Sequence, residues 1–171
     1  MEQLKMRRDA SPASKAIFPA GYSIRSFRPG DEDAWCRCCI DGELGLLECS
    51  KAQFDKIMTC DPCVKLENIY LLTAPDGNIA GTITYQSGHA NDEGYIHMVG
   101  LAKSYWGKRL SLPLVNYAVA KIIEDNNTHI FLTTDDWRLA GIKTYLNAGF
   151  IPITDNDEMT TRWQNVRQKL M

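Results

Sequence analysis

Between residues 95 and 150 the chain reads as strand, glycine-bearing turn, helix, strand, helix, strand, and this order restricts the fold more than any other feature. Tyr95-Ile-His-Met-Val-Gly-Leu101 has strand character and runs directly into Tyr105-Trp-Gly-Lys-Arg-Leu-Ser111. Residues 110–124 are then apolar nearly all round, with Leu110, Leu114, Val115, Ala118, Val119, Ile122 and Ile123, as in a helix buried on more than one face. Residues 129–133 form a strand that a crossover connection places parallel to the first. Leu139, Ile142 and Leu146 mark a further helix, Gly149 ends it, and residues 150–153 are the strand beyond. A helix entered from a strand through a tight turn offers its first free backbone N–H groups to an anion. Pro113 has no N–H and is best tolerated in a first helical turn, so the helix is expected to start near Lys108 or Arg109, with its donors at about residues 106–112.

Upstream, residues 22–27 alternate as a strand, and Pro29-Gly-Asp-Glu-Asp33 is a turn whose acidic residues can cap the next helix. Residues 42–60 hold a glycine-broken loop and a short helix with Ser50 at its N-cap, a segment suited to one wall of a pocket. Residues 69–73 and 79–85 flank Pro75-Asp-Gly-Asn78, a strong hairpin signal. Residues 86–94 read as a second polar connection, with His89 a solvated loop histidine. A meander followed by a crossover unit gives an α/β fold: a single-domain, mixed, mostly antiparallel central sheet with helices on both faces. Residues 1–20 mix charge, Ser, Ala and Pro without periodicity and are expected to be a flexible N-terminal extension, leaving 21–171 as the domain.

With 171 residues and 44% apolar content, the chain can fill one sizeable core. Its 19 basic and 21 acidic residues give no basic field, so no nucleic acid partner is expected. No stretch approaches the roughly 18 apolar residues of a membrane span, and no export signal is visible, so the protein is expected to be cytoplasmic with no membrane partner. The cysteines at 36, 38, 39, 49, 60 and 63 are then expected to be reduced thiols. The pairs Cys36/Cys39 and Cys60/Cys63 have spacing close to a four-thiolate zinc site, which would make the chain a zinc-stapled interaction module. On a helix, Cys36 and Cys39 instead share one side as small buried residues; this reading is preferred, and no metal is expected.

The run Leu101-x4-Trp106-Gly-Lys-Arg-Leu-Ser111, followed by Ile142-Lys-Thr-Tyr145-Leu-Asn-Ala-Gly149-Phe150, resembles the GNAT superfamily of acyl-CoA-dependent N-acyltransferases. The similarity spans roughly residues 22–155 in element order and 95–150 in motif. It implies a GNAT-like fold with a cofactor slot splayed open between the fourth and fifth strands, residues 95–101 and 129–133. In that family the phosphate loop is Arg or Gln, two residues, Gly, one residue, then Gly or Ala. Here Trp106, Arg109 and Ser111 stand at those places, while Gly107, Lys108 and Leu110 match the common Arg-Gly-Lys-Gly-Leu-Gly version. A side chain at Arg109 either crowds the approach of backbone to phosphate or hydrogen-bonds the phosphate itself. The second family run, Ala-Ile-x-x-Tyr-x-x-x-Gly-Phe, is matched with Gly141 in place of alanine. The family's frequent Asn, three residues before it, is Arg138, placed to meet a phosphate.

The resemblance implies acetyl-CoA as co-substrate, held by Val99, Gly100, Leu101, Trp106, Gly107, Lys108, Arg109, Leu110, Ser111 and Arg138. Gly100 is the expected bulge that opens the slot. Tyr145 would be the general acid for the departing thiolate, or else a helix tyrosine with a wet hydroxyl. His97 is the candidate base, since strand alternation puts Tyr95, His97, Val99 and Leu101 on one face; its alternative is a strand histidine satisfied by neighbours. Asp135 and Asp136 either orient an amine or cap the following helix. The implied activity is N-acetyltransfer to a primary amine of a small molecule or peptide by direct attack, in a monomer or homodimer. The alternative within the same fold is a non-catalytic protein that binds coenzyme A as a sensor. Residues 160–170 would add a last strand with Trp163 in the pocket or a short helix that covers it; Trp163 as packing is the preferred reading.

Overall fold

The computed structural model describes residues 2–89 and 92–171. Its elements are β1 (Leu4–Asp9), β2 (Ser23–Ser26), α1 (Glu32–Asp41), α2 (Lys51–Phe54), β3 (Ile69–Thr73), β4 (Ile79–His89), β5 (Glu93–Leu101), α3 (Ser111–Glu124), β6 (His129–Thr134), α4 (Leu139–Asn147), β7 (Ile151–Pro152) and α5 (Asp157–Leu170). The strands form one mixed sheet in the order β2-β3-β4-β5-β6-β1-β7, antiparallel throughout except for the β5–β6 pair. Alternation along β3 divides the core between the two faces. Tyr70 and Leu72 join the cluster containing α3 and α5, while Ile69 and Leu71 join the one built on Trp35, Cys36 and Cys39 of α1. Ser50 is the N-cap of α2, its Oγ accepting the Gln53 N–H at 3.2 Å. Asp31 does not cap α1: its carboxylate is held by Arg25, at 2.7 and 2.8 Å, and by the Arg28 N–H.

Residues 4–9 depart from the expectation of a flexible extension. Leu4 and Met6 are fully buried, and β1 pairs along the whole of β6, from Leu4 opposite Thr134 to Asp9 opposite His129. The third inward-facing residue is Arg8, which hides the strand pattern in the sequence. It stays buried because its guanidinium donates to the carbonyl oxygens of Ala148, at 2.8 Å, and Ser11, at 2.9 Å. The Ala148 contact caps the C-terminal end of α4 with a cation. At the other end of the chain, residues 160–170 belong to α5, and Trp163 is buried packing. The connection expected over 86–94 is mostly strand, since β4 runs to His89 and β5 begins at Glu93; the side chain of His89 lies outside the described residues.

The slot arises from a local mismatch in β5. Thr84 stands opposite His97 and Thr82 opposite Gly100, so Ile83 faces two residues, Met98 and Val99, and Met98 takes a positive φ of 51°. The bulge is therefore at Met98, not Gly100. Gly100 instead makes room for a helix, since a Cβ there would lie 2.4 Å from the backbone oxygen of Cys38, and only glycine lets α1 rest on the strand. At the bulge β5 leaves β6, their parallel pairing covering Glu93–His129 to Ile96–Leu132 and stopping. The slot expected between the fourth and fifth strands thus lies between β5 and β6, because β1 adds a strand at the beginning of the chain.

Replacing Gly100 with Ala forces a methyl against a helix backbone that cannot give way. We expect a loss of about 2–3 kcal/mol and a Tm lowered by roughly 5–10 °C, read by thermal and urea denaturation. A variant as stable as the parent would show that α1 can shift on the sheet.

Candidate active site

The turn after β5 is anchored from outside. A single 3-10 turn over Lys103–Tyr105 carries Tyr105, whose hydroxyl donates to the Asp76 carboxylate, at 2.7 and 3.0 Å, in the β3–β4 hairpin. Gly107 and Arg109 then take positive φ values of 76° and 58°, and α3 begins at Ser111. This start is later than expected, because the chain uses residues 107–110 to turn and places Pro113 at the third helical position. Among the described residues, none of the backbone N–H groups of 107–112 has an acceptor; the first bond of the helix runs from Leu114 N–H to the Leu110 oxygen, at 3.2 Å. Four of these donors precede the 14-residue helix and two open its first turn, an arrangement suited to cradling an anion.

The cradle opens into a cavity of about 470 Å³. The cavity's sides are Asp41, Gly42, Glu43 and Leu44 after α1; Val99, Gly100 and Leu101 of β5; Trp106, Gly107, Ser111 and Val115; and Thr134 with residues 137–141, Thr144 and Tyr145. Eight of the predicted site residues meet here: Val99, Gly100, Leu101, Trp106, Gly107, Ser111, Arg138 and Tyr145. Trp106 is half exposed, and its indole N–H donates to the Leu101 carbonyl at 3.0 Å. Arg138 braces the two walls, donating to the Glu43 carbonyl at 2.8 Å while pairing with Asp135 at 2.9 Å and lying over the Trp137 ring. Tyr145 sits one turn after Gly141, where a Cβ would meet the ring at 3.7 Å, an ordinary contact. Burial pushes the Tyr145 hydroxyl up to about 12, against a small opposing pull from Arg138.

Four predicted residues lie off the cavity. Leu110 is fully buried in the core, so only its backbone faces the turn. Lys108 and Arg109 are exposed beside the cradle, Lys108 over the Tyr105 ring at 4.6 Å. His97 is separated from Leu101 by the bulge, which reverses the alternation: His97 shares the α1 face with Thr84, while Leu101 turns toward Leu114 of α3. Its Nε2 is buried without a partner among the described residues, and burial holds its pKa below the ordinary histidine value, with Asp61 opposing. Asp135 and Asp136 do not cap α4, and neither lines the cavity. Asp135 pairs with Arg138, and Asp136 takes both oxygens to Arg162 of α5. Trp137 and Thr134 carry no signal of their own in the sequence; both flank the Asp135-Asp136 pair at the strand end, the one local feature that pointed near them.

The pairs Cys36/Cys39 and Cys60/Cys63 do not gather into a four-thiolate site. Cys36, Cys38 and Cys39 are buried, Cys49, Cys60 and Cys63 exposed, and among the described residues no group of three or more His, Cys, Asp or Glu could hold a metal. Among the described residues, no helix is long and apolar enough to cross a membrane.

Comparison with known proteins agrees with this geometry. Residues 24–150 match the acetyltransferase (GNAT) family. No curated protein sequence matches the chain. Among solved structures, a GCN5-related N-acetyltransferase from Sphaerobacter thermophilus superposes with a TM-score of 0.69 at 20% identity, over 90% of this chain and 50% of its own. The ribosomal-protein-S18-alanine N-acetyltransferase from Escherichia coli superposes at 0.62 with 17% identity, over 78% of this chain and 79% of its own. N-acetylglutamate synthase from Neisseria gonorrhoeae, complexed with coenzyme A and N-acetyl-glutamate, superposes at 0.61 with 18% identity, over 88% of this chain and 33% of its own. The chain spans about half the length of the first of these. With the family pattern covering most of the sheet and the whole of the cradle, the chain belongs to the acetyltransferase (GNAT) family.

Proposed function

We propose that the protein moves the acetyl group of acetyl-CoA to a primary amine of a small molecule or peptide by direct attack of the amine on the thioester. The observation that carries this reading is the convergence of an anion cradle, an apolar slot and a half-buried tyrosine on one cavity. The residues present fit acetyl-CoA. The open N–H groups of 107–112, with Lys108, Arg109 and Arg138 nearby, suit a pyrophosphate, and Val99, Leu101, Val115 and Leu139 suit an apolar arm. When bound, acetyl-CoA supplies the activated acyl group.

The chain's own residues do the rest. Backbone groups of β5 at 99–101 hold the arm in register, and the brace from Arg138 to Glu43 keeps the walls at a fixed separation. Tyr145, with its pKa raised to about 12, stays protonated across the neutral range and donates its proton to the leaving sulfur. His97 lies off the cavity, whose lining carries the carboxylates of Asp41 and Glu43, and turnover climbs with pH as the amine loses its proton. A non-catalytic reading is favoured by one observation: the Trp106 indole occupies the Leu101 carbonyl, a backbone group that the arm would use.

Calorimetric titration with acetyl-CoA, beside release of free thiol in the presence of polyamines, aminoglycosides and short peptides, separates these readings. Expected are binding, turnover with one amine class, and a kcat lowered about 10²–10⁴-fold in Tyr145→Phe with acetyl-CoA affinity unchanged. Binding with no turnover of any amine would leave the non-catalytic reading; absence of binding would remove both.

His97 is expected to matter for stability rather than chemistry. Its folded pKa lies below 6.5, so the unfolded chain takes up the proton first as pH falls. Its contribution to stability is fully present above 6.5 and is lost as pH drops toward the folded value. Tm should therefore fall more steeply from about pH 7.5 to about pH 5.5 in the parent than in His97→Gln, with turnover at high pH alike in both. Equal slopes, or turnover abolished in the variant, would return His97 to the role of base.

A further inference from the structure

Two of the six cysteines face one another across the segment that walls the cavity. Cys36 is fully buried on α1, and its Sγ lies 3.6 Å from the Ser50 carbonyl oxygen. Cys49, the residue before Ser50, is exposed, and its Sγ lies 3.5 Å from the carbonyl oxygen of Asp33, one helical turn before Cys36. The contacts cross. Each thiol reaches the backbone beside the other, which sets the two sulfurs side by side. Burial pushes the Cys36 thiol up from its ordinary value, and the Cys49 thiol adds to that shift, as an adjacent acid does. The remaining cysteines are placed differently: Cys38 and Cys39 are sealed in the core, burial pushing Cys38 up to about 12, and Cys60 and Cys63 lie on the exposed connection before β3.

We propose that Cys36 and Cys49 form a dithiol that hydrogen peroxide closes to a disulfide. Cys49, the accessible thiol, attacks one peroxide oxygen; the O–O bond breaks, water leaves and Cys49 becomes a sulfenic acid. Cys36 then attacks the sulfenic sulfur, the S–O bond breaks and a second water departs, taking up the thiol proton. In sum, two thiols and one peroxide give one disulfide and two waters, the two sulfurs losing two electrons to the O–O bond. The protein supplies a neighbouring resolving thiol, whereas an isolated exposed cysteine would be oxidised further. The bridge closes the loop that contains Asp41, Gly42, Glu43 and Leu44, so oxidation pins the wall that Arg138 braces from the opposite side. This inference concerns the chain's thiols and stands whether or not the acetyl transfer proposed above is correct.

The test uses the full chain, reduced, treated briefly with hydrogen peroxide, alkylated under denaturing conditions and digested with trypsin, which cuts at Arg37 between the two cysteines. Expected is a peptide pair joined through Cys36 and Cys49, two fewer alkylatable thiols and a Tm raised by about 5 °C, all reversed by dithiothreitol. Cys49→Ser, at an exposed position, should fold normally and give neither bridge nor shift; Cys36→Ser should match it. A bridge confined to Cys60 and Cys63 with Cys36 still alkylatable, or Cys49 carried to sulfinic acid without a partner, would overturn the proposal.

Discussion

The site depends on one misfit between neighbouring strands. If β4 and β5 paired residue for residue, Leu101 would share a face with His97 and β5 would have no local cause to leave β6. Setting Met98 and Val99 against Ile83 bends the strand, reverses its alternation and leaves the upper half of β5 free of its parallel neighbour. The slot is therefore made by subtraction from the sheet. What keeps its far edge ordered is β1, which continues to pair with Thr133 and Thr134 after β5 has departed.

Around this opening, polar and charged side chains tie the walls to distant parts of the chain. Arg138 spans from α4 to the loop after α1, Tyr105 fixes the turn to the β3–β4 hairpin, and Arg162 of α5 links Asp136 to the Glu2 carbonyl. Arg8 does the same for the end of α4. These contacts are directional and mostly charge-assisted, so they fix position more effectively than exposed ion pairs such as Lys51–Asp55. A cavity lined by groups from so many elements needs cross-links of this kind, because no single packed layer would hold its walls apart.

Much of this was legible in the sequence because it is written in local signals. The Asp76-Gly77 hairpin, the apolar helix 111–124 and the run ending at Gly149-Phe150 have strong short-range signatures, and Ser50 is an N-cap of the ordinary kind. Eight of the named site residues converge for the same reason: they lie on the strand, turn and helix whose order the motif encodes. What stayed hidden depends on partners far along the chain. Alternation in β1 is interrupted by Arg8, whose burial makes sense only with Ala148 in view. The bulge sits at Met98 and not at the more suggestive Gly100, because the glycine answers to the backbone of α1. Asp135 and Asp136 look available in sequence, yet each has an arginine waiting in the fold.

The departures from the family motif make sense as backbone shape. Five described non-glycine residues have positive φ: Glu43, Asp92, Met98, Arg109 and Asn126. Of these, Glu43 lines the cavity, Met98 forms the bulge before Val99, and Arg109 lies in the turn ahead of α3. Each costs about 1–2 kcal/mol relative to an ordinary conformation, and such strain persists only where surrounding structure imposes it. Arg109 occupies a position where the family motif carries glycine, and the left-handed conformation it adopts is the one a glycine takes without cost. The turn has thus kept its path while losing the residue that makes the path easy. What the position demands is a left-handed backbone, and Arg109 meets that demand while adding an exposed cation beside the start of α3.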